Sequence, residues 1–166
     1  MEHEELRFAI ARFDHYYDSV NNKGQFYLGM NTFLLSAYGA CFIVIREKEI
    51  LSNPGIKLYL IVLSIICFLS ISVTLFSILP YLGSSNLTSG KSYIYYQDIA
   101  SISLSEYKLN IHSANKEKVL DDLIIQSHSL ALGLKFKFKC LKWAGILIFL
   151  EFIIIPFFFY NLLQIL

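Results

Sequence analysis

Lys139–Leu166 reads KCLKWAGILIFLEFIIIPFFFYNLLQIL, and beyond Lys142 it holds one acid, Glu151, and no base. A helix rises about 1.5 Å per residue, so a run of this length crosses a hydrocarbon core about 30 Å thick. The stretch reads as a membrane span. Lys135, Lys137, Lys139 and Lys142 stand just before it and Trp143 opens it, as a cytoplasmic basic flank and an interfacial aromatic do. Glu151 comes nine residues after Lys142, which puts its carboxyl roughly 13 Å deep, near the midplane. A charged carboxylate there costs about 2.5–3.5 kcal/mol on the mildest insertion scale. The residue needs a partner or a task.

The remainder of the 166 residues fits one small integral membrane protein. They are 55% hydrophobic and 16% charged, with a mean hydropathy of +0.53, too apolar for an ordinary soluble domain. A net charge of +1, without a basic face outside the membrane flank, argues against a nucleic-acid binder. Cys41 and Cys67 fall inside apolar runs and Cys140 in the lysine flank, so neither a metal spacing nor a disulfide framework emerges. His3, His15, His112 and His128 do not cluster, and no H-E-x-x-H, C-x-x-C, G-x-S-x-G or phosphate loop occurs. The expectation is a non-enzyme without a cofactor or metal. The N-terminal MEHEELRFAIARF lacks the charged-then-apolar pattern of a signal peptide.

Upstream, residues 1–23 place Leu6, Ile10, Phe13, Tyr17 and Val20 at steps of four and three, with charged residues between them. That is the stripe of an amphipathic helix. It is expected to run unbroken into a first crossing, residues 24–45. Residues 46–57 contain Asn53-Pro54-Gly55 and form a short loop. Residues 58–80 are a second crossing, closed by Pro80, and its serines and threonine can bond their own backbone or form a polar stripe. Gly83–Gly90, GSSNLTSG, is a polar linker holding the weak glycosylation match Asn86-Leu87-Thr88. Ser103 with Glu106 is a capping box. From about Asn115 a helix carries Leu120, Leu123, Ile124, Ser127, Leu130, Ala131, Leu134, Phe138 and Leu141 on one side. It should continue into the third crossing, residues 143–166, as one helix of about fifty residues, weakest at Gly133.

The fold class is therefore an all-α membrane protein with three transmembrane helices and cytosolic helical extensions of the first and third. Residues 81–142 are a cytosolic helical module between the second and third crossings. Arg and Lys number three before the first crossing, three in the loop and eight in the central segment. The side with eleven of fourteen should be the cytoplasm, with the N-terminus inside and the C-terminus in the periplasm. Both amphipathic extensions then reach into the cytosol and can pair within one subunit or in a homo-oligomer.

Depth along the helices nominates partners for Glu151. Asn31 lies roughly 10 Å into the first crossing, and Ser70 and Ser72 reach a similar level on the antiparallel second one. Glu151 is expected to face inward, bonded to Asn31 or these hydroxyls, and to become a pore lining or subunit contact when the helices rearrange. A static, protonated, hydrogen-bonded carboxyl is the competing reading. The lysine cluster can hold anionic lipid headgroups or merely set orientation. Tyr93, Tyr95 and Tyr96 can stack on a ligand base or anchor at the membrane surface. Asp14 and Asp18, one turn apart, read as a solvated face.

The order of parts carries a resemblance. RFDHYYDSVNNKGQFYLGMNTFLL (residues 12–35), a second crossing, YIYYQDIASISLSEYKLNI (93–111) and VLDDLIIQSHSLALGLKFKFKCLKWA (119–144) resemble the transmembrane effector domain of the Pycsar antiphage systems. The similarity runs from about Arg12 to Phe159 and includes the Asn22-Lys23 junction, Ile99-Ala100-Ser101, Glu106-Tyr107 and Lys135-Phe136. It implies a bacterial inner-membrane effector that responds to a cyclic pyrimidine nucleotide from a partner cyclase and then impairs the membrane. It makes Lys23, Tyr95, Tyr96 and Tyr107 candidates for ligand or interface contact. About sixty residues between the last two crossings are too few for a separate cyclic-nucleotide-binding barrel, and Asn21-Asn22 stands where the family often has an acid before the lysine. Two rival readings are a constitutive membrane scaffold or accessory subunit and a small oligomeric channel.

Overall fold

The computed structural model describes residues 3–48, 50, 53–80 and 92–165. Its helices are α1 (His3–Glu47), α2 (Pro54–Ile78), α3 (Tyr96–Ala100), α4 (Leu104–Ser113) and α5 (Lys116–Leu163). No strand occurs among the described residues. α1, α2 and α5 are each long and apolar enough to cross a membrane. The Gly83–Gly90 linker and its Asn86-Leu87-Thr88 match lie outside the described residues.

Caps set the helix starts. Asn53 Oδ1 accepts from the Gly55 and Ile56 N–H groups at 2.9 and 3.4 Å, and Pro54 occupies the first helical position, where its missing N–H costs nothing. α2 thus begins one turn before the apolar run at Leu58. Ser103 Oγ accepts from Glu106 N–H at 3.2 Å to open α4, the expected cap. Asn115 Oδ1 accepts from Lys118 N–H at 2.8 Å to open α5. From there α5 runs 48 residues through both Gly133 and Pro156, so the long helix expected from the pattern is observed.

Contacts divide the chain into two units, Met1–Asp18 with Pro80–Lys135 and Ser19–Leu79 with Phe136–Leu166. In the first, Leu6, Ile10, Phe13 and Tyr17 are half-buried while the charged residues between them are exposed. The Tyr17 hydroxyl donates to the Leu130 carbonyl of α5 at 3.0 Å. The stripe of α1 thus finds its partner within this chain.

The second unit is organised by a repeat. α2 buries Ile56, Leu60, Leu63, Cys67, Ser70, Thr74 and Ser77 at alternating steps of four and three. Lys137, Leu141, Ala144, Ile148, Glu151, Phe158 and Leu162 of α5 follow the same spacing, as do Val20, Gly24, Asn31, Leu34, Tyr38 and Ile45 of α1. A sustained 3.5-residue period is the signature of left-handed knobs-into-holes packing. It also corrects the expected α5 stripe, because Ile124 and Phe138 are exposed at 47% and 39% whereas Lys137 is buried at 3%. Outside the repeat, Phe26, Phe33, Phe68, Phe76, Phe149 and Phe157 are each more than half exposed. Apolar side chains outside and polar ones within is the distribution that a lipid solvent favours.

Candidate functional site

A polar seam runs through the second unit. Near its middle is Asn31, wholly buried, whose Nδ2 donates to Ser70 Oγ at 2.9 Å. Ser70 Oγ donates in turn to the Ala144 carbonyl at 3.4 Å, joining all three spanning helices at one level. Thr74 Oγ1 donates to the Ser70 carbonyl at 2.7 Å, and Ser77 Oγ to the Thr74 carbonyl at 2.7 Å. Beyond them, Lys137 Nζ donates to the Ser77 and Ile78 carbonyls at 2.8 and 3.1 Å. The final turn of a helix leaves its carbonyls without N–H partners, and here an ammonium from α5 supplies donors.

In the other direction the seam reaches Glu151. The Cys67 thiol donates to the Asn31 carbonyl at 3.2 Å and lies beside the Glu151 carboxyl. Tyr38 OH donates to Glu151 Oε2 at 3.5 Å, long against the roughly 2.7–2.8 Å usual for O–H···O bonds. Glu151 Oε1 is buried without a hydrogen-bond partner. Past this point an apolar cluster closes the bundle, with Ile45, Ile56, Leu60, Phe158 and Leu162 among its buried members. The seam therefore carries polar groups at intervals from Lys137 to Glu151, about 20 Å along α5, interleaved with the inward Leu141, Ala144 and Ile148, and is apolar thereafter.

Several expected residues change place. Glu151 does face inward, at 0% exposure, but its hydroxyl partner is Tyr38; Asn31 and Ser70 bond one another. Ser72 turns away, and its hydroxyl donates to the Phe68 carbonyl of its own helix at 2.9 Å. Ser64, Thr32 and Ser36 likewise bond carbonyls four residues back, the internal satisfaction open to hydroxyls in lipid. Of the four basic residues assigned to lipid, Lys135, Lys139 and Lys142 are exposed. Lys137 is not: capping α2 takes its charge into the bundle. Thr74 and Ser77 bond carbonyls of their own helix, as expected of its hydroxyls, whereas the sequence reading missed Tyr38 and Cys67. Tyr38 was within reach, since it falls seven residues after Asn31, two helical turns along one face.

Glycines set two close approaches in this unit. A Cβ at Gly24 would stand 2.7 Å from Ile78 Cγ1, and one at Gly145 would stand 3.0 Å from the Tyr27 hydroxyl. Small residues let membrane helices meet in this way.

In the first unit, Ser92 and two acids tie down the aromatic segment. Ser92 Oγ accepts from the Ile94 and Tyr95 N–H groups at 3.1 and 2.9 Å. Asp98 Oδ2 accepts from Ser92 N–H at 2.9 Å, and Asp122 Oδ2, on α5, accepts from Tyr93 N–H at 2.8 Å. Asp122 is 7% exposed, an acid kept on a buried face because it holds a backbone donor. Of the candidate contact residues, Tyr95 donates to Gln97 Oε1 at 3.0 Å and packs edge-on to Tyr96 at 5.2 Å. Burial pushes the Tyr95 phenol above its ordinary range, with Tyr96 and Asp98 adding to the shift. Tyr96 is 62% exposed. Tyr107 is half-buried, its hydroxyl donating to the Tyr93 carbonyl at 3.4 Å, and Lys23 is exposed.

A cleft of about 430 Å³ also opens in this unit, lined by Arg7, Ile10, Ala11, Asp14, Ile94, Val119, Leu123 and Gln126. Gln126 Oε1 is buried without a partner. Among the described residues no group of three or more His, Cys, Asp and Glu is placed to hold a metal ion.

The family model described as the Pycsar effector protein domain matches residues 5–163, nearly the whole chain. No curated protein and no solved structure matches it.

Proposed function

The chain belongs to the Pycsar effector family, and from that premise we propose that it impairs the bacterial inner membrane when a cyclic pyrimidine nucleotide signals phage infection. The family is one of non-catalytic effectors tied to a cyclic-nucleotide signalling system. The observation that carries the membrane part of the reading is the inward-facing seam from Lys137 to Glu151. A bundle built only to anchor would fill its axis with apolar side chains, which cost less in lipid than an under-partnered carboxyl. The seam is closed at rest by the apolar cluster around Phe158. Displacing that cluster opens a polar path, within one subunit or shared between subunits of a homo-oligomer.

The trigger acts on the first unit, on the cytoplasmic side with the N-terminus. Its cleft has an Arg7 guanidinium for a phosphodiester and Ile10, Ile94 and Leu123 for a base face. α1 and α5 continue without a break from this unit into the spanning segments. A ligand that prefers one arrangement of the first unit can therefore bias the second. Turning a 1:99 population into 99:1 requires about 5.5 kcal/mol of differential binding, which several subunits can sum.

Vesicles loaded with a self-quenching dye and containing the full chain test this. Dye release on adding a cyclic pyrimidine nucleotide, and none with a cyclic purine nucleotide, is the expected result. Release without nucleotide would instead favour a simple channel, and no release with any nucleotide would favour a scaffold.

A further inference from the structure

A second groove opens on the outer surface of the spanning unit, between α1 and α2. It encloses about 550 Å³, and its walls include Leu35, Gly39 and Phe42 of α1 and Lys57, Ile61 and Ile65 of α2. The large apolar side chains among these are 38–53% exposed, so the groove faces the solvent of the bundle, which is lipid.

Its shape follows from one glycine. At Gly24 the same two helices touch, for a Cβ there would meet Ile78 at 2.7 Å, whereas a Cβ at Gly39 meets no heavy atom within 4 Å. Its polarity follows from one lysine. Lys57 lies in the first turn of α2, which contains no acid, and Asn53 already accepts from the Gly55 and Ile56 N–H groups. The ammonium thus adds to the positive end of the helix dipole, where an anion is favoured. From Lys57 to Ile65 is eight residues, about 12 Å, against about 15 Å for half of the hydrocarbon core.

A cation above an apolar trough nearly one leaflet deep has the form of a headgroup site over an acyl-chain site. We propose that this groove binds an anionic phospholipid, with the phosphate on Lys57 and one acyl chain laid along Gly39, Ile61 and Ile65. Tyr38 also lines the groove, so the bound chain packs on the residue whose hydroxyl faces Glu151.

Native mass spectrometry of the full chain in detergent tests both parts of the site, with phosphatidylglycerol and phosphatidylcholine of identical acyl chains in competition. The unaltered chain should retain lipid and prefer phosphatidylglycerol. Lys57→Gln should lower that preference about fivefold, the equivalent of about 1 kcal/mol for one basic residue at an anionic surface, while leaving phosphatidylcholine retention unchanged. Gly39→Leu should remove retention of both lipids. Gly29→Leu, at an exposed glycine with equally open surroundings, should alter neither. The site does not exist if the unaltered chain shows no preference, if Lys57→Gln is as selective as the parent, or if Gly39→Leu holds as much lipid as Gly29→Leu.

Discussion

The Asn31 amide donates to the Ser70 hydroxyl at 2.9 Å, and neither side chain has any exposed surface. Pairs of this kind across membrane helices average about 0.6 kcal/mol in double-mutant cycles, with a maximum near 1.7. The Asn31→Ala, Ser70→Ala cycle should give a coupling in the upper part of that range, because Ser70 also ties α5 through Ala144. Unfolding in mixed micelles measures it, and a coupling near zero would mean that the pair does not hold the bundle together.

Lys137→Met should destabilise the chain by about 1–3 kcal/mol, the cost of leaving buried acceptors unpaired. Lys135→Met and Lys139→Met should stay within about 0.5 kcal/mol. Thermal unfolding of the three variants separates a cap from a lipid-facing cation. Equal effects would return Lys137 to the surface cluster.

Gly24→Ala should cost about 1–3 kcal/mol through the clash with Ile78. Gly29→Ala should be neutral or stabilising by up to about 1 kcal/mol, since nothing meets its Cβ and alanine favours the helix. Gly24 as tolerant as Gly29 would show that α1 and α2 do not meet there.

Glu151→Leu should leave the resting bundle as stable or more so, for an apolar side chain removes an under-partnered carboxyl from the bundle interior. The same change should abolish nucleotide-triggered dye release. A Glu151→Leu chain that releases dye like the parent would take the residue out of the mechanism, whatever its effect on stability.

Much of the architecture was legible in the sequence because apolar length and charge spacing are one-dimensional properties. The three spans and the unbroken helix from Lys116 to Leu163 follow from them, and the Ser103 cap follows from the equally local spacing of Ser103 and Glu106. The seam was harder to read for a geometric reason. Counting residues gives depth, not direction around the helix. Ser70 and Ser72 lie at nearly the same depth but about 200° apart on α2, so only one can face the axis, and it is Ser70. The error at Lys137 is of the same kind with chemistry added. Its neighbour Phe138 is the more apolar residue, yet the α2 carbonyls demand donors and the lysine goes in. Tyr38 escaped because a tyrosine in a span reads as a lipid-facing or interfacial ring until a buried acid gives its hydroxyl a purpose.

The inward residues of α5 from Lys137 to Leu162 keep one phase, and this makes small rotations of that helix costly. Turning it by a single position, about 100°, would pull the ammonium from the Ser77 carbonyl and exchange Glu151 for Phe152 or Leu150 at the axis. Any rearrangement that brings the acid out of the heart of the bundle must therefore break the Lys137 bonds to the end of α2 as well.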